Sequence, residues 1–251
     1  MPRYFIQLSY NGTAYHGWQV QENANSVQAE LNKALSVYLR EPIETVGAGR
    51  TDTGVHARFF VAHFDSIRQD LEEHSPHHLY KLNSILPKDI AVFGLKRMHN
   101  DAHARFDAVS RTYKYYISRE KNPFCAELAY PLYVPLSVEA MNNAAKLLLS
   151  YTDFTSFSKL HTDVKTNSCN VTYAEWREEA DGMLVFTITA NRFLRNMVRA
   201  ITGSLLDVGK GRLTVEQLGE LVEAKDRQKA GASAPANGLF LTGITYPYDI
   251  G

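Results

Sequence analysis

Two hydrophobic rhythms alternate along the chain, and their order leaves few architectures open. Arg3 to Tyr10 alternates apolar and polar positions, the period of a half-buried strand, and Asn11-Gly12 then supplies turn chemistry. Ser26 is placed to cap a helix carrying Val27, Leu31, Ala34, Leu35 and Leu39 at helical spacing. A strand near Ile43 to Val46, a glycine-rich stretch from Gly47 to Gly54 and a strand from Ala57 to Phe64 follow. A helix over about His77 to Ile85 stops before Pro87, and Ile90 to Leu95 reads as extended.

The second half repeats the pattern. Arg111 to Ser118 is a strand by its Tyr and Ile content, and Ser137 can cap a helix with Met141, Ala144, Ala145, Leu148 and Leu149 on one face. Strands near Asn170 to Trp176 and Met183 to Thr189 lead into a long helix, about Phe193 to Val208, then a helix from Val215 to Ala224 and a final strand from Leu239 to Tyr246. A boundary between Met98 and Ser110 divides the chain into halves, 1–104 and 105–251, so two packed α+β halves are expected.

Composition sets outer limits. With 251 residues the chain has room for one large or two small domains, and its 45% hydrophobic content is that of a folded protein. Lys plus Arg and Asp plus Glu each number 27, so no general basic coat marks a nucleic-acid binder, although a neutral total can hide one basic face. Two cysteines, Cys125 and Cys169, make no disulfide framework and show no metal-ligand spacing, which fits a reduced cytoplasm. The amino terminus alternates and turns where a signal peptide would run apolar, and no window approaches the roughly 20 apolar residues of a membrane span.

Three constellations could carry chemistry. The densest is GAGRTDTGVHA, Gly47 to Ala57, with one acid, Asp52, between two strands. Loops so placed hold functional groups on a rigid frame, although a turn closed by Asp52 is the plain structural alternative. The Gly-Lys-Ser/Thr ending of a phosphate loop is missing. Next comes ANRFLRNMVRAITGSLLDVGKG, Ala190 to Gly211. Its apolar stripe is Leu194, Met197, Val198, Ile201, Leu205 and Val208, and Arg192, Arg195 and Arg199, at offsets of three and four, fall on one adjoining face. Five basic residues and one acid lie between Arg192 and Arg212; seven and three lie between Lys96 and Lys121, where Phe106, Tyr113, Tyr115 and Tyr116 interleave. Cations for phosphates with aromatic faces for unstacked bases suit RNA; a solvated basic face is the alternative. A metal site from Asp52, His56 and His63 fits no helical ligand spacing, so none is expected. His74, His77 and His78 read as a solvent-exposed connection, and Phe5, Phe59, Phe60, Trp18 and Trp176 as packing.

Taken together, YNGTAYHGWQVQ (Tyr10 to Gln21), GAGRTDTGVHA, LNSILPKDI, RFDAVSRTYKYYI, FLRNMVRAITGSLLDVGKG and APANGLFL (Ala234 to Leu241) resemble the tRNA pseudouridine synthase A family, in order and over almost the whole chain. Ser158 to Tyr173 departs from the common bacterial pattern. The resemblance implies the pseudouridine synthase fold, an α+β architecture of two similar RRM/ferredoxin-like halves with antiparallel or mixed sheets around a central active-site cleft. It also implies a cofactor-independent, metal-free isomerase that converts uridine to pseudouridine at positions 38, 39 and 40 of the tRNA anticodon stem-loop, as a cytoplasmic homodimer with neither membrane nor DNA as partner. In that pattern Asp52 stands at the catalytic aspartate, Tyr113 at the tyrosine stacking on the target uracil, and Arg199 at the arginine paired with the aspartate. Arg50 matches a residue holding the place of the flipped base, and Leu239 one lining the pocket.

Elementary chemistry is compatible with those roles. Rejoining uracil to ribose through carbon 5 conserves all atoms, so no redox group or activated donor is required. One carboxylate can act, whether at the anomeric carbon, at carbon 6 or on a proton, and a neighbouring guanidinium would keep it charged. Unstacking the base costs a few kcal/mol, which an aromatic face offsets. Arg111, Arg192, Arg195, Lys210 and Arg212 are then candidates for holding the substrate, the last four through phosphates. A synthase acting on another RNA, a noncatalytic binder with two RRM-like halves and a metal-dependent hydrolase are the competing readings.

Overall fold

The computed structural model describes residues 1–159 and 166–251; residues 160–165, inside the divergent stretch noted above, lie outside the described residues. Nine strands and five α-helices are present among the described residues, an α+β fold. The chain divides into two units, Met1–Val109 with Leu241–Gly251, and Ser110–Phe240.

In the first unit β1 (Arg3–Tyr10) runs between β3 (His56–Asp65) and β4 (Ile90–Met98), antiparallel to both, and β2 (Val46–Gly47) adds to β3. With α1 (Val27–Leu39) after β1 and α2 (Ser75–Ile85) after β3, the order is the β-α-β-β-α-β of ferredoxin-like folds. Register follows the period of two. Tyr4, Ile6 and Leu8 face Phe64, Ala62 and Phe60 across the ladder, and all six are essentially fully buried. Val27, Leu31, Ala34, Leu35 and Leu39 of α1 are buried as their spacing predicts, and Ser26 Oγ accepts the Ala29 amide at 3.3 Å. Each large apolar side chain so buried contributes about 1.5–3 kcal/mol.

The second unit has the same rhythm. β5 (Ser110–Ser118) lies antiparallel to β8 (Met183–Ala190), β8 antiparallel to β7 (Val171–Glu178), and the short β6 (Tyr130–Pro131) pairs parallel to β5. Trp176 and Phe186 oppose each other in register with rings 4.9 Å apart, both fully buried. Against this sheet the unit supplies α3 (Val138–Leu147), α4 (Met197–Gly209) and α5 (Val215–Glu223), with Ser137 Oγ accepting from Ala140 and a Thr214–Gln217 capping box starting α5. α3 and α4 approach so closely that a Cβ on Gly209 would lie 2.4 Å from Met141 Sδ.

Four readings from sequence need correction. The strand expected near Ile43 to Val46 shrinks to Val46–Gly47, because the preceding amides bond to α1 side chains instead: Ile43 N to Ser36 Oγ at 2.9 Å and Thr45 N to Asn32 Oδ1 at 3.0 Å. The long helix expected from Phe193 begins at Met197, since Asn196 takes a left-handed conformation at φ 66°. Leu194 is nevertheless 4% exposed, so the buried spacing continues past the helix start. His78 is buried with Nδ1 2.6 Å from Tyr38 Oη, while His74 and His77 are exposed. Lastly, β9 (Leu239–Thr245) starts in the second unit, but Leu241 onward groups with the first. That tail is tied by Val109 N to Thr245 O, Tyr246 Oη to Ala104 O, Tyr248 Oη to Asp107, Gln7 Nε2 to the Ile250 carbonyl and Lys96 to Asp249.

His63 lies on the tail-facing side of this sheet, its ring 6.1 Å from Phe5, its Nδ1 accepting the Ala104 amide at 3.1 Å. Burial, with Arg3 and His103 nearby, lowers its pKa from 6.5 to about 4. Between those values the unfolded chain binds a proton the folded chain does not, so stability falls as pH drops from 6.5 towards 4, by up to about 3 kcal/mol. Urea midpoints at pH 7 and pH 5 should diverge in the parent and converge in His63→Asn, which keeps an acceptor and removes the titration.

Candidate active site

The Asp52 loop joins β2 to β3 and is gripped by the segment that follows β1. Thr51 O accepts the Trp18 amide at 3.4 Å, Tyr15 O accepts the Gly54 amide at 3.2 Å, and Tyr10 Oη lies 3.0 Å from Thr51 Oγ1. At the loop's exit His56, fully buried, accepts the Gly12 amide on Nδ1 at 3.0 Å. Two glycines allow this approach. A Cβ on Gly12 would stand 2.0 Å from Val55 O, and one on Gly17, whose φ is 93°, would stand 2.3 Å from Thr51 O. Tyr15 is itself anchored, its hydroxyl donating to Asp89 Oδ1 at 2.7 Å; burial, then that bond, raises its pKa well above the ordinary phenol value.

The turn is closed backbone to backbone, Val55 N to Asp52 O at 3.1 Å. Asp52 is part-buried and Arg50, on the same loop, is exposed. Gly49 has open space around the place of its missing Cβ. His56 and His63 each spend Nδ1 on a backbone amide, and no three-residue metal-binding group occurs among the described residues. Cys169 is no candidate nucleophile, since burial pushes its thiol up to about 11.

In the second unit Arg111 and Tyr113 lie on β5, part-buried, paired with Ala190 and Ile188 of β8. Tyr113 meets Phe193 edge to face, ring centroids 5.2 Å apart, and Arg111 Nη1 donates to Asn191 O at 2.9 Å. Asn191 in turn accepts the amides of Asn170 and Arg192 on Oδ1, at 2.7 and 2.9 Å. This fixes the turn 191–196 that carries Arg192 and Arg195. Arg199 lies in the first turn of α4, with Nε donating to Ala234 O at 2.8 Å while Ala234 N donates to Arg199 O at 2.9 Å. Leu239 is buried at the start of β9.

Arg192 and Arg195 therefore do not share a helical face with Arg199; they precede the helix. Lys210 and Arg212 lie beyond its other end, separated from the turn by 13 helical residues or about 20 Å, with Asp207 at 3.8 and 3.9 Å from their charged nitrogens. Sequence reasoning missed Phe193 as a partner of Tyr113 and Asn191 as the turn's anchor. The motif Tyr10 to Gln21 was singled out, but nothing in it tells which loop its glycines approach.

A family model described as tRNA pseudouridine synthase matches residues 144–247. The tRNA pseudouridine synthase A of Bacteroides thetaiotaomicron is 56% identical over 252 residues, covering 100% of this chain and 93% of the relative. This chain belongs to the tRNA pseudouridine synthase A family. The Bacteroides fragilis member is 54% identical over 99% of this chain and 98% of its own length, and that of Bacillus subtilis 42% over 95% and 97%. Members are isomerases. Among the described residues no helix is long and apolar enough to cross a membrane.

The glycine contacts give a graded expectation. Gly12→Ala and Gly17→Ala should each destabilise the chain by about 1–3 kcal/mol, through collision with a carbonyl and, at Gly17, left-handed strain. Gly49→Ala should stay within about 0.5 kcal/mol, all three read from denaturant unfolding.

Proposed function

We propose that this chain isomerises uridine to pseudouridine in tRNA, acting at positions 38, 39 and 40 of the anticodon stem-loop. The observation that carries this is identity of 56% and 42%, essentially end to end, with tRNA pseudouridine synthase A of Bacteroides thetaiotaomicron and of Bacillus subtilis. Asp52 is the nucleophile in this reading, on a loop whose backbone is gripped by the segment that follows β1. A nucleophile held within a fraction of an ångström avoids the entropic cost of finding its reacting atom. Tyr113 receives the uracil on its ring after flipping. Its edge contact with Phe193 helps hold the ring, and stacking of a base on such a ring contributes about 1–3 kcal/mol. Arg199 is the basic residue of the site in this reading, and Leu239 lines the apolar side of the uracil site. No redox group enters, since the bonds broken and formed balance within uridine.

Arg192 and Arg195, on an anchored turn and with Arg195 exposed, are placed to hold phosphates, with Arg111 buttressing them. Lys210 and Arg212 extend the same role to the far end of α4, where Asp207 tempers their charge. A cytoplasmic homodimer bound to one tRNA completes the reading.

With unmodified tRNA in excess chelator, the parent chain should form pseudouridine at positions 38 to 40 and Asp52→Asn none, while binding of tRNA by the variant stays within a few fold. Product from both proteins would remove Asp52 from its role. The logarithm of tRNA affinity should fall linearly with the logarithm of salt, and Arg195→Ala should shallow that slope by about one unit. An unchanged slope would take Arg195 off the phosphate path.

A further inference from the structure

Arg199 takes part of its orientation from a neighbouring segment. Its Nε is bound to Ala234 O and its backbone carbonyl to Ala234 N, so a shift of residue 234 moves the guanidinium with it. The segment 230–234 has no regular secondary structure and makes no ladder that would fix it. Three groups grip it instead. Gly203 on α4 approaches so closely that a Cβ there would lie 2.1 Å from Ala232 O. Asn196 Nδ2 donates to Ser233 Oγ at 2.7 Å. Arg227 reaches across the turn: Nη1 donates to Ala230 O at 3.0 Å and Gly231 O at 3.3 Å, and Nη2 to Ser233 Oγ at 3.0 Å.

The chemistry of that third grip is unusual. The acceptors of Arg227 among the described residues are neutral, two carbonyls and a hydroxyl, and it has no ion pair among them. A surface arginine kept for solubility would wave in water or pair with a carboxylate. Here a planar fork of donors spans residues 230 to 233, a geometry that a lysine's point charge cannot reproduce. Arg227 is also steadied from behind, since the Asp226 amide donates to the buried Ser156 hydroxyl at 3.0 Å.

We propose that Arg227 is a positioning residue for the isomerase reaction, holding segment 230–234 in the one arrangement that orients the Arg199 guanidinium. The inference rests on the reading of Arg199 given above and deepens it. Arg227 touches neither substrate nor reacting atoms in this account; it acts through Ser233 and Ala234.

The test compares the full-length parent, Arg227→Ala, Arg227→Lys and Arg199→Ala on a tRNA transcript labelled with tritium at uridine carbon 5, alongside thermal unfolding and amide hydrogen exchange. Arg227→Ala should lower kcat at least tenfold with KM within threefold, and accelerate exchange at the Ala234 amide. Arg227→Lys should recover only a small part of that loss. Millimolar guanidinium should raise the kcat of Arg227→Ala several fold while leaving the parent unchanged, which a merely structural role would not produce. Parent-like kcat in Arg227→Ala, or a loss matched by a fall in Tm and indifferent to guanidinium, would overturn the proposal. If the parent turns over and Arg199→Ala matches it, the reading of Arg199 fails and the proposal with it. No product from the parent would instead overturn the functional reading, and the exchange data would still report whether Arg227 holds the segment.

Discussion

Two backbone carbonyls, those of Thr51 and Val55, stand where side chains on Gly17 and Gly12 would have to be. That exclusion is the constraint on which the Asp52 loop depends. A loop of this length between two short strand ends could sample many conformations, and fixing each residue costs about 1–2 kcal/mol in backbone entropy. Among the contacts that offset the cost are amide-to-carbonyl bonds and a buried imidazole.

The second unit fixes a loop by other means. The short irregular segment that bonds Arg199 is held by side chains, a guanidinium, an amide and a hydroxyl. Side-chain clamps are more adjustable than carbonyl contacts, because a single substitution loosens them without collision. The two halves share an element order but not a method of fixing their loops, which follows from where each loop falls: one between paired strands, the other between a helix and the last strand.

Much of this was legible in the sequence. Period-two and helical spacing located nearly every element, and Ser26 and Ser137 announced their helices because an N-cap is a local signal. Asp52 stood out as the single acid in a glycine-rich loop. The failures share a cause, which is that tertiary bonds replaced local ones. Asn32 and Ser36 drew the residues before β2 away from the sheet, and Asn196 delayed the start of a helix whose apolar spacing already includes the buried Leu194. Helical spacing of Arg192, Arg195 and Arg199 was therefore a pattern without a helix beneath part of it. Arg227 carried no signal, since its acceptors are carbonyls that any residues could provide.

The return of Leu241–Gly251 to the first unit bears on how the chain folds. The sheet face carrying Phe5, Gln7 and Lys96 is covered by Tyr246, Tyr248, Asp249 and Ile250, partners more than 150 residues away in sequence for each of the three. During synthesis the amino-terminal strands emerge first, yet that face stays bare until the entire second unit has been made. Contacts of such separation slow folding, because loop closure must precede the burial that rewards it. The first unit is thus first to be synthesised and last to be completed.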